Sequence, residues 1–282
     1  MKNIIKIAIL FLFISCSGNS KESPKIVSST NKKTEPKKVK NPFKSISYNG
    51  DHKTIHIIVA LCDNQYQGIS PVPTKIGNGQ DPKNNLYWGT AYGIKTYFKR
   101  SSEWQLVQQT KVDTLILERV VFKHKNLDYF IVADAYDGRY IKQATETFLR
   151  SSAGILKDTI ISNSETLGIN GNAELVAYIG HDGLMDFTID EKFINTDTKE
   201  RDVIILACFS KNYFKPHLGQ ANINPLVWTT SFMAPEAYTI HDAITGYLNN
   251  ETNEQIRLRA AKAYHKYQKC GLNGAKRLLV TN

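Results

Sequence analysis

Apolar and amphipathic segments alternate along residues 53–271, and this alternation predicts strands and helices in turn. Short apolar runs bounded by polar residues predict strands over residues 53–64, 114–124, 127–138, 173–183, 202–210 and 224–232. Apolar side chains at helical spacing predict helices over residues 86–98, 139–154, 235–249 and 253–271, the last ending at Gly271. Because several strands are apolar throughout, we expect an α/β fold, a mostly parallel sheet sandwiched between helices.

The N-terminal residues follow the pattern of an export signal. Lys2 and Lys6 precede an unbroken apolar run over residues 7–14, and Ser15 and Cys16 follow at once. The run is about half as long as the roughly 20 residues that span a bilayer, so it predicts a cleaved secretory signal. A small residue directly before a cysteine at this depth resembles a bacterial lipoprotein signal.

That resemblance implies a signal peptide over residues 1–16 with Cys16 as the lipidation site. It also implies an exported protein that is lipid-anchored to a bacterial membrane, which we expect to be the outer membrane. An ordinary signal peptide or an uncleaved anchor is the alternative.

The positive charge of the chain is concentrated in a segment that predicts a tether. Residues 17–48 are rich in Lys, Ser and Pro with almost no large apolar residues, which favours disorder. The whole chain has a formal net charge of +10; ten lysines against two glutamates in residues 1–48 account for +8 and leave +2 for residues 49–282. Residues 49–282 form the predicted α/β domain, and we expect them to fold as a single domain. They carry no basic stripe interleaved with aromatics, so we do not expect nucleic acid as a partner.

Two apolar strands end in residues that carry chemistry. The first runs into Gly180-His181-Asp182-Gly183, and the second runs into Cys208. In parallel sheets the carboxyl ends of the strands are where ligands and catalytic groups gather. A cysteine nucleophile with an imidazole in reach, and backbone N–H groups for the developing oxyanion, would make a cysteine peptidase.

This pair of strand ends resembles the caspase-like cysteine peptidases, the superfamily of caspases, gingipains, legumains, clostripain and separase. The resemblance covers about residues 55–247 and implies the three-layer caspase-like sandwich. It implies His181 as general acid and base, Cys208 as nucleophile, and the backbone of Asp182 or Gly183 as oxyanion donor. The expected partner is a peptide or protein substrate. The family usually has glycine directly after the histidine, where Asp182 stands here, so a non-catalytic surface or periplasmic binding protein on the same fold is the alternative.

Further polar residues lie close to predicted strand ends. The resemblance implies that Asp134 and Asp137 lie near the substrate cleft, where they could select a basic side chain, and that Ser231, in the family's next strand and specificity loop, also belongs to the cleft. The same two aspartates could instead hold a metal in a phosphoesterase, and Asp137 is also placed to cap the next helix. Since the sequence has no zinc-ligand spacing, nucleotide-binding glycine pattern, GxSxG or HExxH, we expect no metal or cofactor.

Overall fold

The computed structural model describes Tyr48 and residues 50–281. The predicted signal peptide, Cys16 and nearly all of the predicted tether lie outside the described residues. The strands are β1 (Lys53–Ala60), β2 (Trp104–Thr110), β3 (Ile116–His124), β4 (Tyr129–Tyr136), β5 (Lys157–Ser162), β6 (Glu165–Asn170), β7 (Leu175–Ile179), β8 (Arg201–Leu206), β9 (Ile223–Thr229) and β10 (Leu279–Val280). The helices are α1 (Ile94–Lys99), α2 (Ile141–Ser152), α3 (Ser210–Leu218), α4 (Ala237–Leu248), α5 (Asn253–Gln268) and α6 (Leu272–Leu278). Among these helices, none is both long and apolar enough to cross a bilayer.

Eight strands form one sheet in the order β10-β9-β8-β7-β1-β4-β3-β2. Neighbouring strands from β4 to β9 run parallel, whereas β2 and β3 at one edge and β10 at the other join antiparallel. Strands β5 and β6 form a separate two-stranded hairpin. The predicted α/β fold with a mostly parallel sheet is therefore confirmed.

The central strand β1 shows why such apolar runs form this sheet. Successive side chains of a strand point to opposite faces, so a strand covered on both faces is apolar throughout. Ile55, Ile57 and Val59 pack into a cluster with residues of α1, α4, α5 and α6, whereas Ile58 and Ala60 pack with residues of α2 and α3. The β5–β6 hairpin packs over β3 and β4 in a third, smaller cluster.

Local predictions differ from the structure at several elements. In the predicted helix over residues 86–98 only α1 is helical, because the backbone N–H groups of Trp88, Gly89 and Thr90 all donate to the Asn85 carbonyl in tight turns. Helix α5 ends at Gln268 rather than at Gly271, since Lys269 takes up the left-handed cap with a φ of 55°. Strands β2, β5, β6 and β10 and helices α3 and α6 were not predicted, because their sequences are too polar or too short for a clear period.

Candidate functional site

The carboxyl ends of β7 and β8 lie side by side, since these strands are neighbours in the sheet. A pocket of about 260 Å³ opens there, and both His181 and Cys208 line it. Its other lining residues are Gly68, Ile69, Ser70, Tyr87, Gly180, Met185, Phe232, Met233 and Pro235. The structure thus brings together the two residues that the sequence singled out.

His181 is held at the end of β7 by its backbone and by one side of its ring. Gly180 before it has a φ of +148°, and a Cβ there would lie 2.7 Å from the Ala60 carbonyl oxygen of β1, so only glycine fits. The Tyr178 hydroxyl donates to the His181 carbonyl at 2.8 Å. The ring atom Nε2 lies 2.8 Å from Oδ2 of Asp186. Because an ionised carboxylate only accepts, Nε2 carries the hydrogen, which leaves Nδ1 as the basic nitrogen.

Asp186 is a site residue that the sequence did not reveal. It follows a 3₁₀ turn over Gly183–Met185, and its Oδ2 also accepts a hydrogen bond from the backbone N–H of Gly68 at 2.8 Å. A Cβ at Gly68 would lie 2.3 Å from Asp186 Oδ1, so this contact requires glycine. The loop after β1 therefore fixes the carboxylate that orients His181. The only sequence signal is an aspartate five residues after the histidine, which is too common to be specific.

Cys208 lies in the turn between β8 and α3 rather than in the strand. Its side chain is half-buried, and Sγ accepts from the Met233 backbone N–H at 3.4 Å and donates to the Met233 carbonyl at 3.6 Å. Phe209, the next residue, has a φ of 49°, an uncommon left-handed conformation for a bulky side chain. Strained backbone of this kind is found where the surrounding structure positions a functional group.

Two buried hydroxyls hold this turn in place. The Thr229 hydroxyl donates to the Ala207 carbonyl and accepts from the Ser210 backbone N–H. The Ser210 hydroxyl in turn donates to the Ile205 carbonyl at 2.9 Å and accepts from the Thr229 backbone N–H. The backbone on either side of Cys208 is consequently tied to both β8 and β9.

The electrostatics around Cys208 favour a neutral thiol in the free protein. Burial raises the pKa of the Cys208 thiol. The hydrogen bond from the Met233 backbone N–H lowers this pKa, and the negative charge of Asp182 raises it further. Burial also raises the pKa of Asp182 to about 7, although the Leu184 backbone N–H lowers it. The second carboxyl oxygen of Asp182 is buried and has no hydrogen-bond partner among the described residues.

The remaining predicted site residues lie around the pocket rather than in its wall. Asp182 and Gly183, the two residues that follow His181, are buried and do not line the pocket. Their backbone N–H groups, like that of Cys208, have no acceptor within the described part of the chain. Ser231 lines a neighbouring pocket, and its carbonyl accepts from the Phe209 backbone N–H at 3.0 Å.

The proposed cleft role of Asp134 and Asp137 is corrected by the structure. Asp134 lies within β4, 1% exposed, where Arg119 binds both of its carboxyl oxygens and His56 contacts one. Asp137 is buried, caps a 3₁₀ turn over Gly138–Tyr140 and pairs with Arg139. Each carboxylate is already neutralised by an arginine, so neither is available to select a basic substrate side chain.

Metal chemistry gains no support from these carboxylates. Within residues 50–281, no group of three or more His, Cys, Asp or Glu side chains is arranged to hold a metal ion.

The two other cysteines of this range lie outside the pocket. Cys62 is buried, which raises its pKa to about 11, and Cys270 is exposed.

A thiol and a histidine with one basic nitrogen free of hydrogen bonds therefore line the pocket, and the Asp186 carboxylate outside the wall orients the histidine. These are the groups that acyl transfer through a covalent cysteine intermediate requires. Comparison of the chain with protein-family models, with curated proteins and with solved structures gives no match.

Proposed function

We propose that this protein is a cysteine peptidase of caspase-like architecture, exported and held to a bacterial membrane by a lipid on Cys16. One observation carries the proposal: His181 and Cys208 follow adjacent parallel strands and line the same pocket. The motif over residues 1–16 supports the anchor, since its apolar run is short and ends at Ser15-Cys16.

The arrangement of the sheet supports the caspase-like assignment. The resemblance implies a dyad with its histidine after one strand and its cysteine after the next, and β7 and β8 follow one another in the sheet and in the chain. Helices pack against alternate residues of β1 on both faces of the sheet, which supports a three-layer sandwich.

The contact between His181 and Asp186 supports one order of proton transfers. Because Nε2 of His181 is engaged by Asp186, Nδ1 takes the proton of the Cys208 thiol as Sγ attacks a substrate carbonyl carbon. The C–N bond then breaks, and the leaving amine receives this proton from Nδ1. Water, activated by the same nitrogen, hydrolyses the thioester and restores the thiol.

Asp186 acts in this scheme as a positioning residue. It keeps the hydrogen on Nε2 and so keeps the lone pair on Nδ1. Burial and Asp182 raise the pKa of the thiol, so the scheme has Nδ1 accept the thiol proton as the attack occurs. Activity then depends on a correctly oriented general base.

A second candidate is supported by the same electrostatics. A raised pKa of Cys208 and the buried Asp182 beside it are unfavourable for a preformed thiolate. A binding protein could use this pocket to hold a peptide without cleaving it, and would then need neither His181 nor Cys208 for affinity.

The decisive experiment incubates the full chain with a diverse mixture of unfolded peptides and identifies new termini by mass spectrometry. We expect cleavage by the wild type and its loss, about 10²-fold or more, in Cys208→Ala and His181→Ala. The control variant Cys270→Ala should retain full activity, because Cys270 is exposed and outside the pocket. Peptides that bind unchanged, equally to wild type and Cys208→Ala, would contradict the peptidase and favour the binding protein.

Asp186→Ala separates positioning from folding. We expect kcat to fall by up to about 10²-fold with KM little changed, and the pH profile of kcat to move, because the histidine loses its fixed tautomer. Asp186→Asn, which keeps an acceptor for Nε2, should recover part of the rate. Unchanged kcat in Asp186→Ala would remove Asp186 from the mechanism.

A further inference from the structure

The wall of the pocket has no permanent charge. None of its lining residues is Asp, Glu, Lys or Arg; the titratable side chains are those of His181, Cys208 and Tyr87. Ile69, Met185, Phe232, Met233 and Pro235 provide most of the remaining side-chain surface. A substrate side chain that enters this pocket would meet apolar atoms.

Three carboxylates directly follow lining residues of the pocket: Asp186 and Glu236 already have partners, and Asp182 is fully buried outside the wall. Asp186 is bound by His181 and by the Gly68 backbone N–H. Glu236, which follows the lining residue Pro235, accepts from the Tyr238 hydroxyl and from Gln268. A charged substrate side chain would therefore be buried without a counter-ion, which is strongly unfavourable.

The apolar wall begins next to the reacting sulfur. Both the backbone N–H and the backbone carbonyl of Met233 form hydrogen bonds with Sγ of Cys208. The adjacent Phe232 is 70% exposed, and its ring meets that of Phe209 edge to face with 4.8 Å between centroids. The residue whose carbonyl is attacked by Sγ would project its side chain onto this wall.

Methionines contribute a second feature. Met185 and Met233 are the two methionines of the described residues, and both line this pocket. Methionine side chains are flexible and polarisable, and they are used at surfaces that adapt to several apolar ligands. Such a wall favours a class of side chains rather than a single one.

We propose that the peptidase prefers an uncharged apolar residue, such as leucine, methionine or phenylalanine, on the amino side of the cleaved bond. This inference rests on the proposed function, and it replaces selection of a basic side chain by Asp134 and Asp137. Ile69, Phe232 and Met233 are the residues that determine this specificity.

The test uses three peptidyl acyloxymethyl ketones that differ only in the residue next to the reactive carbon: leucine, arginine or glutamate. In each, a bond forms between Sγ and the methylene carbon, the carboxylate leaves with its electron pair, and the thiol proton passes to His181. The full chain is treated with each probe, and the rate of modification at Cys208 is measured by peptide mass spectrometry. We expect the leucine probe to react at least about 10²-fold faster than either charged probe, and the His181→Ala variant to lose the reaction.

Two matched substitutions locate the preference. Ile69→Asp places a carboxylate in the wall, so the arginine probe should gain at least about tenfold relative to the leucine probe. Ile161→Asp introduces the same charge at an exposed position of β5 outside the pocket and should leave the ratio unchanged. Phe232→Ala should slow the leucine probe alone.

The outcomes distinguish this inference from the proposed function. Labelling that depends on His181 but is fastest with the arginine or glutamate probe would overturn the apolar preference and leave the peptidase standing. No His181-dependent labelling by any of the three probes would overturn both.

Discussion

Two histidine–aspartate pairs, one within the sheet and one just after β7, differ in how completely their hydrogen bonds are made. His56 on β1 donates from Nε2 to Asp134 at 3.1 Å, and its Nδ1 accepts from the Asn170 backbone N–H at 3.1 Å. His181 contacts Asp186 through Nε2 at 2.8 Å, but its Nδ1 has no partner among the described residues. The first pair is saturated and the second is not.

The buried carboxylates at the two sites also differ in how fully they are hydrogen-bonded. Burial alone would raise the pKa of Asp134, but the hydrogen bonds from Arg119 and His56 outweigh burial and hold it below its usual range. Beside His181, Asp182 is buried with one carboxyl oxygen unpaired, and Phe209 next to Cys208 is in a left-handed conformation. Asn170, which contacts His56, also has a positive φ of 55°, but asparagine adopts this conformation more readily than phenylalanine does. Buried unpaired groups and strained bulky residues concentrate at functional sites.

The comparison teaches that residue type alone does not mark a site. Both pairs combine the same two side chains, but His56 and Asp134 are buried within the sheet, whereas His181 is buried just after β7 and Asp186 is partly exposed. What separates them is whether a polar atom remains free to act on a ligand. A saturated network stabilises the fold, whereas an unsaturated one beside a pocket is available for chemistry.

Asp134→Ala should have the largest effect on stability. It leaves Arg119 and His56 without their shared acceptor in a buried position, which costs about 3–5 kcal/mol in the free energy of unfolding. Urea denaturation measures this loss. Because the folded pKa of Asp134 is lowered, the contribution is present above about pH 4 and is lost as the pH falls. The matched variant Asp186→Ala should lose much less stability, and equal losses in the two variants would break the comparison.

Asp182→Asn should remove a pH-dependent instability. The folded pKa of Asp182, about 7, exceeds its unfolded value, so its favourable contribution is complete below about pH 4 and is lost as the pH rises through 7. Asparagine keeps an acceptor for the Leu184 backbone N–H and cannot ionise. We expect the variant to be more stable than wild type at pH 8 by roughly 2–4 kcal/mol, with little difference at pH 4.

The same variant should alter the thiol. Without the Asp182 charge, the pKa of Cys208 should fall, and its alkylation by iodoacetamide at pH 8 should accelerate. Cys270 provides the exposed internal reference in the same digest. An unchanged ratio of the two rates would show that Asp182 does not act on the thiol.

Thr229→Val should loosen the turn that presents Cys208. It removes the partner of the Ala207 carbonyl and of the Ser210 backbone N–H, at a cost of about 1–3 kcal/mol in unfolding free energy. The control Thr229→Ser keeps the hydroxyl and should lose less. A loss in Thr229→Ser as large as in Thr229→Val would indicate packing of the methyl group rather than hydrogen bonding.

His52 offers a third histidine–carboxylate contact, and it should have the smallest effect. The hydrogen bond from His52 to Asp128 raises the pKa of His52. Burial lowers this pKa, and a second hydrogen bond, to Glu165, raises it. The contribution is therefore complete below the unfolded pKa and is lost as the pH rises through the folded one. Since Asp128 is 59% exposed, we expect His52→Gln to lose less than about 1 kcal/mol at pH 5.5, and less still in high salt.

Sequence patterns were most informative where a residue's role depends on its neighbours in the chain. Apolar runs located all five parallel strands, and the glycines around His181 pointed to a strand end. Asp134 shows the limit of such patterns. Its position after apolar residues indicated a strand end, but β4 continues to Tyr136 and Arg119 of β3 neutralises the carboxylate.

The sequence by itself determined the α/β class and marked His181 and Cys208, because strand-forming runs and the polar residues that end them are local properties. Only the tertiary structure decided which strands are neighbours, and hence that these two residues share a pocket. It also recruited Asp186 through Gly68 and surrounded Cys208 with Met233 and Phe232. The Met233–Cys208 contact joins residues 25 positions apart, and the Gly68–Asp186 contact joins residues 118 positions apart. No local sequence pattern specifies contacts over such distances along the chain.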